Sequence, residues 1–212
     1  MSNCPLCLED NSIHYYENRK KKFYRCNTCT LIYVAGEQLL NSTDELDVYD
    51  LHENDPSDPG YIKFMERTLT PLREYLVPKS HGLDFGCGPG PVVSSILSPE
   101  GFKISEYDPY YAKNEELLNT QYDFLISTEV VEHIYETKKD FELMFSLVKK
   151  GGIIALMTSF YPDDIDRFSR WGYHQDPTHV RFFNEETFRW IADKYNLNLT
   201  IPRRNVAFFT KE

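Results

Sequence analysis

Residues 82–91 read GLDFGCGPGP, an apolar stretch that runs into Gly86, Gly88 and Gly90. A helix is expected after it, from about Val92 to Leu97. Strand, glycine turn, helix is the local grammar of a phosphate- or nucleoside-binding edge. Glycine permits tight backbone geometry and close ligand approach, and the helix start offers unpaired N–H groups. The next apolar stretch, GFKISEY, ends at Asp108. A carboxylate at the end of a second strand suits a ribose diol, because it accepts hydrogen bonds from both hydroxyls. The spacing is G-x-G-x-G. A dinucleotide fingerprint counted from Gly86 needs a third glycine where Pro91 stands, and the lysine that closes a P-loop is missing. The reading at this level is an adenosine-type cofactor.

Downstream, YDFLISTEVVEHI (122–134) and LVKKGGIIALM (147–157) give two further apolar strands. With LDFGCGPGP they resemble the successive motifs of class I S-adenosylmethionine-dependent methyltransferases, in particular the group of the ubiquinone-biosynthesis O-methyltransferases. The resemblance covers roughly residues 80–212. It implies a Rossmann-like α/β sheet, S-adenosylmethionine as cofactor, and a methyl acceptor that the motifs do not specify. It also implies site residues. Gly86, Gly88 and Gly90 would pass under the methionine part of the cofactor, with Asp84 organising the loop and the amino group. Asp108 would hold the ribose, and Thr128 and Glu129 would line the pocket. Glu129, Glu132 and His133 in TEVVEH match a Glu-x-x-Glu-His that the family links to a divalent metal; two carboxylates and an imidazole suit such a cation. Cys87 reads as a packing thiol.

Only 13 residues separate Asp108 from Tyr122. A full unit of helix, strand and connection needs about 25. The third strand and its helix are therefore expected to be missing or vestigial. The residue that meets adenine is then unassigned, with Tyr110 or Tyr111 as stacking candidates.

Methyl transfer from a sulfonium is an in-line displacement that needs alignment and, for an oxygen or nitrogen acceptor, a base. His133 is a candidate, since an unperturbed imidazole titrates near about 6.5, and Glu132 could orient it. The alternative is that both only order the following helix. A second cluster, SRWGYHQDPTHVRFF (169–183), should fold over the same sheet edge and offers Trp171, Tyr173, Asp176 and His179. Asp176-Pro177-Thr178-His179 resembles a segment of zinc-ribbon methyltransferases, which implies an acceptor-pocket role for His179; a structural staple is the other reading. His174 is expected at the surface.

Ahead of this domain, Cys4, Cys7, Cys26 and Cys29 form C-x2-C-x18-C-x2-C, the spacing of a four-cysteine zinc site. Four thiolates close a tetrahedral structural centre, and a module this small needs the metal's binding energy to fold. Strands are expected around a turn at residues 19–22. Disulfides are the alternative, disfavoured in a reducing compartment. Basic residues Arg19, Lys20, Lys21, Lys22 and Arg25 lie among aromatics, which reads as a nucleic-acid contact or as a solvated hairpin tip.

Residues 37–60 carry eight acids and no Lys or Arg, along with Pro56, Pro59 and Gly60. They read as an acidic linker or irregular cap, in which Tyr49, His52, Glu53 and Asn54 could form a lid. The expected division is 1–36 zinc ribbon, 37–60 linker or cap, and 61–212 methyltransferase domain. The 212 residues carry a formal charge of −10, which makes bulk binding of nucleic acid or anionic membrane unfavourable. No apolar run approaches the ~18 residues of a membrane span, and the N-terminus lacks a signal-peptide layout, so the cytoplasm is expected. The leading expectation is methylation of a small-molecule acceptor, on oxygen before carbon or nitrogen. The alternatives are an RNA or protein methyltransferase with the ribbon as reader, and a non-catalytic zinc-ribbon interaction protein.

Overall fold

The computed structural model describes residues 3–51 and 55–212. His52, Glu53 and Asn54, part of the expected lid, lie outside the described residues. The chain opens with β1 (Ser12–Glu17), β2 (Lys22–Cys26) and β3 (Ile32–Val34), then α1 (Ser42–Tyr49) and α2 (Pro59–Leu72). The large domain continues with β4 (His81–Phe85), α3 (Val92–Leu97), β5 (Lys103–Tyr107), β6 (Tyr122–Thr128), α4 (Thr137–Ser146) and β7 (Val148–Met157). It ends with α5 (Ile165–Arg170), β8 (Arg181–Phe182), α6 (Glu185–Tyr195), β9 (Leu197–Arg203) and β10 (Val206–Lys211).

Six strands form one sheet in the order β5-β4-β6-β7-β10-β9. The four from β4 to β7 are parallel; β10 runs antiparallel to β7, and β9 to β10. Alternation divides the core between two faces, as a pleated strand requires. Phe124 and Ile126 of β6 face Met65, Leu69 and Leu72 of α2 and Val93 and Leu97 of α3. Leu125 faces the other way, toward Phe141 and Phe145 of α4 and Phe188 and Ile191 of α6. Burial on both faces explains why β4, β6 and β7 read as nearly continuous apolar runs. Carboxyl ends of the parallel strands all reach one edge, and the cavity lies there.

The expected shortening is present. Between β5 and β6 the chain makes only an isolated bridge, Asp108 to Ala112, and a single 3-10 turn at Glu115–Asn119.

One expectation needs correction. The acidic block is not merely a linker, because it contains α1, capped by the Asn41 side chain, which accepts from the Thr43 and Asp44 amides. Counting charge treats every acid as solvated. Glu45 is instead buried, because two tyrosine hydroxyls satisfy its carboxylate. The ribbon shares its sheet with the large domain. β1, β2 and β3 form an antiparallel hairpin and third strand, and β8 of the large domain adds to β3, pairing Ile32 with Phe182 and Tyr33 with Arg181. Phe23, Ile32 and Val34 share a core with Phe168, Val180 and Phe182.

Candidate active site and cysteine centre

A cavity of about 810 Å³ opens at the carboxyl edge of the parallel strands. Asp84, Gly86, Gly88 and Asp108 line one part of it; Thr128, Glu129, His133 and His179 line another. Gly90 is buried in the turn behind the lining residues, and Glu132 is wholly buried beneath them.

The glycine turn begins with Gly86 at φ +81°, where L side chains are disfavoured. A Cβ added there would meet Val130 Cγ2 at 2.4 Å, so the close approach of the β4 and β6 loops also demands glycine. Asp108 fixes this turn. Its Oδ2 accepts from Gly88 N at 3.0 Å, and its Oδ1 accepts from Tyr110 N at 2.8 Å and Tyr111 N at 3.0 Å. Two lone pairs per oxygen leave one acceptor position on Oδ2 for a ligand hydroxyl. Asp84 has a different environment. Burial, with Glu106 and Asp108 close by, pushes its carboxyl up to about 8. An acid desolvated at a cavity wall is ready to accept a cationic partner.

The other half of the cavity is built on the loop after β6. Glu129 sits at φ +54°, with its amide donating to Met157 O at 2.8 Å. Its carboxyl is pushed up to about 7 by burial. Glu132 is raised further, by burial and by the charge of Glu129. The Tyr173 hydroxyl bridges the two, 3.0 Å from Glu129 Oε2 and hydrogen-bonded to Glu132 Oε1. One hydroxyl proton cannot serve two carboxylates. Burial raises Glu132 the more, which favours its neutral form and a second proton in this chain. Oε2 of Glu132 has no hydrogen-bond partner among the described residues.

Both imidazoles have defined tautomers. His179 Nδ1 lies 2.7 Å from Tyr173 O, and His133 Nδ1 lies 3.3 Å from Thr178 O. A carbonyl only accepts, so each ring carries its proton on Nδ1 and keeps Nε2 as the basic nitrogen. The rings meet edge to face with centroids 4.7 Å apart. Backbone ties hold the two loops together, since Val180 N and Arg181 N both donate to Glu132 O. Ligand atoms of Glu132, His133 and His179 lie within 4.8 Å of one another, a spacing that suits a cation; His179 takes the place that the motif gave to Glu129.

Tyr110 and Tyr111 line the cavity, and their hydroxyls are already engaged, by Glu45 Oε2 and Asp50 Oδ1, each at 2.7 Å. These bonds hold α1 over the cavity, where Tyr49 meets the His133 ring edge to face at 5.2 Å. His174 is not at the surface. It stacks on Phe168 at 4.9 Å, beside Phe23 and Tyr16, and burial lowers its pKa. The polar flanks GYHQD concealed a ring facing the ribbon core.

Cysteines 4, 7, 26 and 29 place their sulfurs within 4.8 Å of one another, with Cys4 to Cys29 at 3.5 Å and Cys7 to Cys26 at 3.4 Å. Four sulfurs at about 2.3 Å from a tetrahedral zinc would be about 3.8 Å apart, so the set fits this ion.

A family model described as a methyltransferase domain matches residues 60–200. The chain belongs to this methyltransferase family. No curated protein sequence matches it. Among solved structures, the methyltransferase is similar to 1,6-didemethyltoxoflavin-N1-methyltransferase from Burkholderia thailandensis, determined with 1,6-didemethyltoxoflavin and S-adenosylhomocysteine bound. The identity is 13% over 95% of this chain and 99% of that one, with a TM-score of 0.54. A candidate sarcosine dimethylglycine methyltransferase from Galdieria sulphuraria is 15% identical over 75% and 74% of the two chains, TM-score 0.53. A candidate methyltransferase from Bacillus halodurans is 15% identical over 64% and 71%, TM-score 0.51. At these identities the likeness shows the class I methyltransferase fold. No helix among the described residues is long and apolar enough to cross a membrane.

Three features escaped the sequence. Tyr173 was one aromatic among several, and its bridge between two glutamates depends on a loop returning from β7. Glu45 lay in a charge run. Lys21 was one of three consecutive lysines, and only it is buried.

Proposed function

We propose that this methyltransferase moves the methyl group of S-adenosylmethionine to an oxygen of a small molecule held beside His133 and His179. One observation carries the reading: a glycine turn with two carboxylates and a pair of oriented imidazoles line the same cavity. When bound, the cofactor supplies a sulfonium methyl, so no covalent intermediate on the protein is needed.

Asp84 would meet the cofactor's amino group, a cation that would lower its raised pKa. The turn at Gly86, Gly88 and Gly90 lets the backbone approach the methionine portion. Asp108 holds the turn and accepts from one ribose hydroxyl. Thr128 and Glu129 form the adjoining wall. The bound cofactor would supply the methyl carbon and leave as a neutral thioether, and His179 Nε2 would take the proton released by the acceptor hydroxyl. Tyr173 O, on Nδ1–H, stabilises the imidazolium. Glu132 acts from beneath, through Tyr173. If a divalent cation takes part, Glu132, His133 and His179 would hold it. The four cysteines hold a structural zinc as thiolates, chemistry that suits a reducing compartment such as the cytoplasm. The ribbon's place against the large domain supports a structural role over that of an RNA or protein reader, because Lys21 and Phe23 are buried in that contact.

The test is a screen of hydroxylated small molecules for transfer of label from methyl-tritiated S-adenosylmethionine. His179→Ala should lower kcat on an accepted compound by about 10²- to 10⁴-fold. Calorimetry with S-adenosylhomocysteine should show a Kd that Asp108→Ala weakens by more than about tenfold, a loss of about 1.4 kcal/mol. A folded, zinc-loaded parent that binds no S-adenosylhomocysteine would refute the cofactor assignment.

A further inference from the structure

One ribbon side chain, Lys21, reaches the backbone of two residues that line the cavity. Asn18 Oδ1 accepts from the amides of Lys20 and Lys21, both at 2.8 Å, and Asn18 N donates to Lys21 O at 3.0 Å. This clamps the β1–β2 turn and turns Lys21 inward, where it is 7% exposed. Its Nζ donates to Asp176 O at 2.5 Å and to His179 O at 2.9 Å. The receiving segment is itself a turn, with His179 N on Asp176 O at 3.2 Å and Thr178 N on Asp176 Oδ1 at 2.8 Å. Another of its carbonyls, Thr178 O, meets His133 Nδ1. One buried ammonium thus gathers the backbone of the turn that carries one imidazole and orients the other.

Burying an ammonium is costly unless its hydrogen bonds are made, and backbone carbonyls at charge-assisted distance supply them. A lysine serving only ribbon stability would have no need to reach 155 residues along the chain, into a loop of the catalytic edge.

We propose that Lys21 is a positioning residue for methyl transfer: its ammonium fixes the Asp176–His179 turn, so that the ribbon completes the acceptor half of the active site. This rests on the reading of His179 as the base. Cofactor binding, built on the β4 and β5 loops, is independent of it.

The experiment uses full-length, zinc-loaded protein saturated with S-adenosylhomocysteine. Long-range ¹H–¹⁵N spectra read the His179 imidazole tautomer in the parent, in Lys21→Met and in the exposed control Lys20→Met. The parent and Lys20→Met should show Nδ1–H alone. Lys21→Met should show a mixture with about a tenth or more of Nε2–H, while Kd for S-adenosylhomocysteine stays within about twofold and zinc content is unchanged. A single Nδ1–H tautomer in folded Lys21→Met would overturn the proposal. If that variant does not fold, the parent decides it. A Lys21 ammonium signal visible through slow hydrogen exchange supports the contact, and exchange as fast as that of Lys20 rejects it. Methyl transfer that survives His179→Ala would remove the base assignment yet leave the tautomer shift standing, so the two failures are distinguishable.

Discussion

Asp84 is a carboxyl desolvated at the wall of the cavity. It lies on β4 in register with Glu106 of β5, nearly sealed from water, and its pKa is raised to about 8. For an acid whose folded pKa lies above its unfolded value, the folded state binds more protons over the interval between them. Stability then falls as pH rises from about 4 to about 8. Glu129 and Glu132 act in the same direction. Without cofactor, Asp84→Asn should therefore raise Tm at pH 8, by about 3 °C or more, and change it little at pH 4. The same substitution should weaken S-adenosylhomocysteine by more than about tenfold, since the amide offers no charge to the amino group. Differential scanning calorimetry at the two pH values and a titration at pH 8 read both effects. An Asp84→Asn protein that melts below the parent at pH 8 would contradict the desolvation argument.

Among the elements, α1 and the shortened β5–β6 connection belong together. A full third strand and helix would cover that flank of the cavity. The connection instead contributes Tyr110 and Tyr111, whose hydroxyls bind Glu45 and Asp50 of the α1 region. Tyr135, after β6, adds a bond to Leu40 O at 3.2 Å. The cover is thus a separate helix latched by tyrosines, and its removal costs few apolar contacts. Glu45→Ala should speed dissociation of S-adenosylhomocysteine by about tenfold with little change in Tm, because lids belong to the low-stability part of a fold. Stopped-flow displacement measures the rate, and an unchanged rate would show that α1 does not gate the cofactor. The 13-residue gap made the missing strand readable. Its replacement was not readable, because the partners lie 61 and 65 residues apart in the chain.

The whole molecule is one continuous structure across its two sheets. Cys4, Leu6, Cys26 and Cys29 share a core with Phe183 and Phe188, while Arg181, 3% exposed, donates to Val34 O and Tyr135 O. Loss of zinc should therefore reach beyond the ribbon. Stripping the metal with a strong chelator, or Cys26→Ser, should lower the Tm of the large domain by several degrees, with methyl transfer falling more steeply than S-adenosylhomocysteine affinity. Calorimetry on metal-free and reloaded protein checks this. A large-domain transition indifferent to zinc would show that the two sheets unfold independently.

Local chemistry determined what could be read from the chain by itself. Glycine spacing, apolar runs of strand length and paired cysteines each depend on neighbours within a few residues, so the α/β fold, the cofactor turn and the four-sulfur cluster were legible. The missing third strand followed from chain length alone. Tertiary structure decided which of several similar side chains matter. Lys21 is buried while Lys20 is exposed, His174 lies in a core while His133 and His179 line the cavity, and Glu132 is sealed beneath Tyr173 while Glu129 lines the cavity. Those distinctions arise from desolvation and from hydrogen bonds across long sequence separations, and neither is a property of a residue's neighbours in the chain.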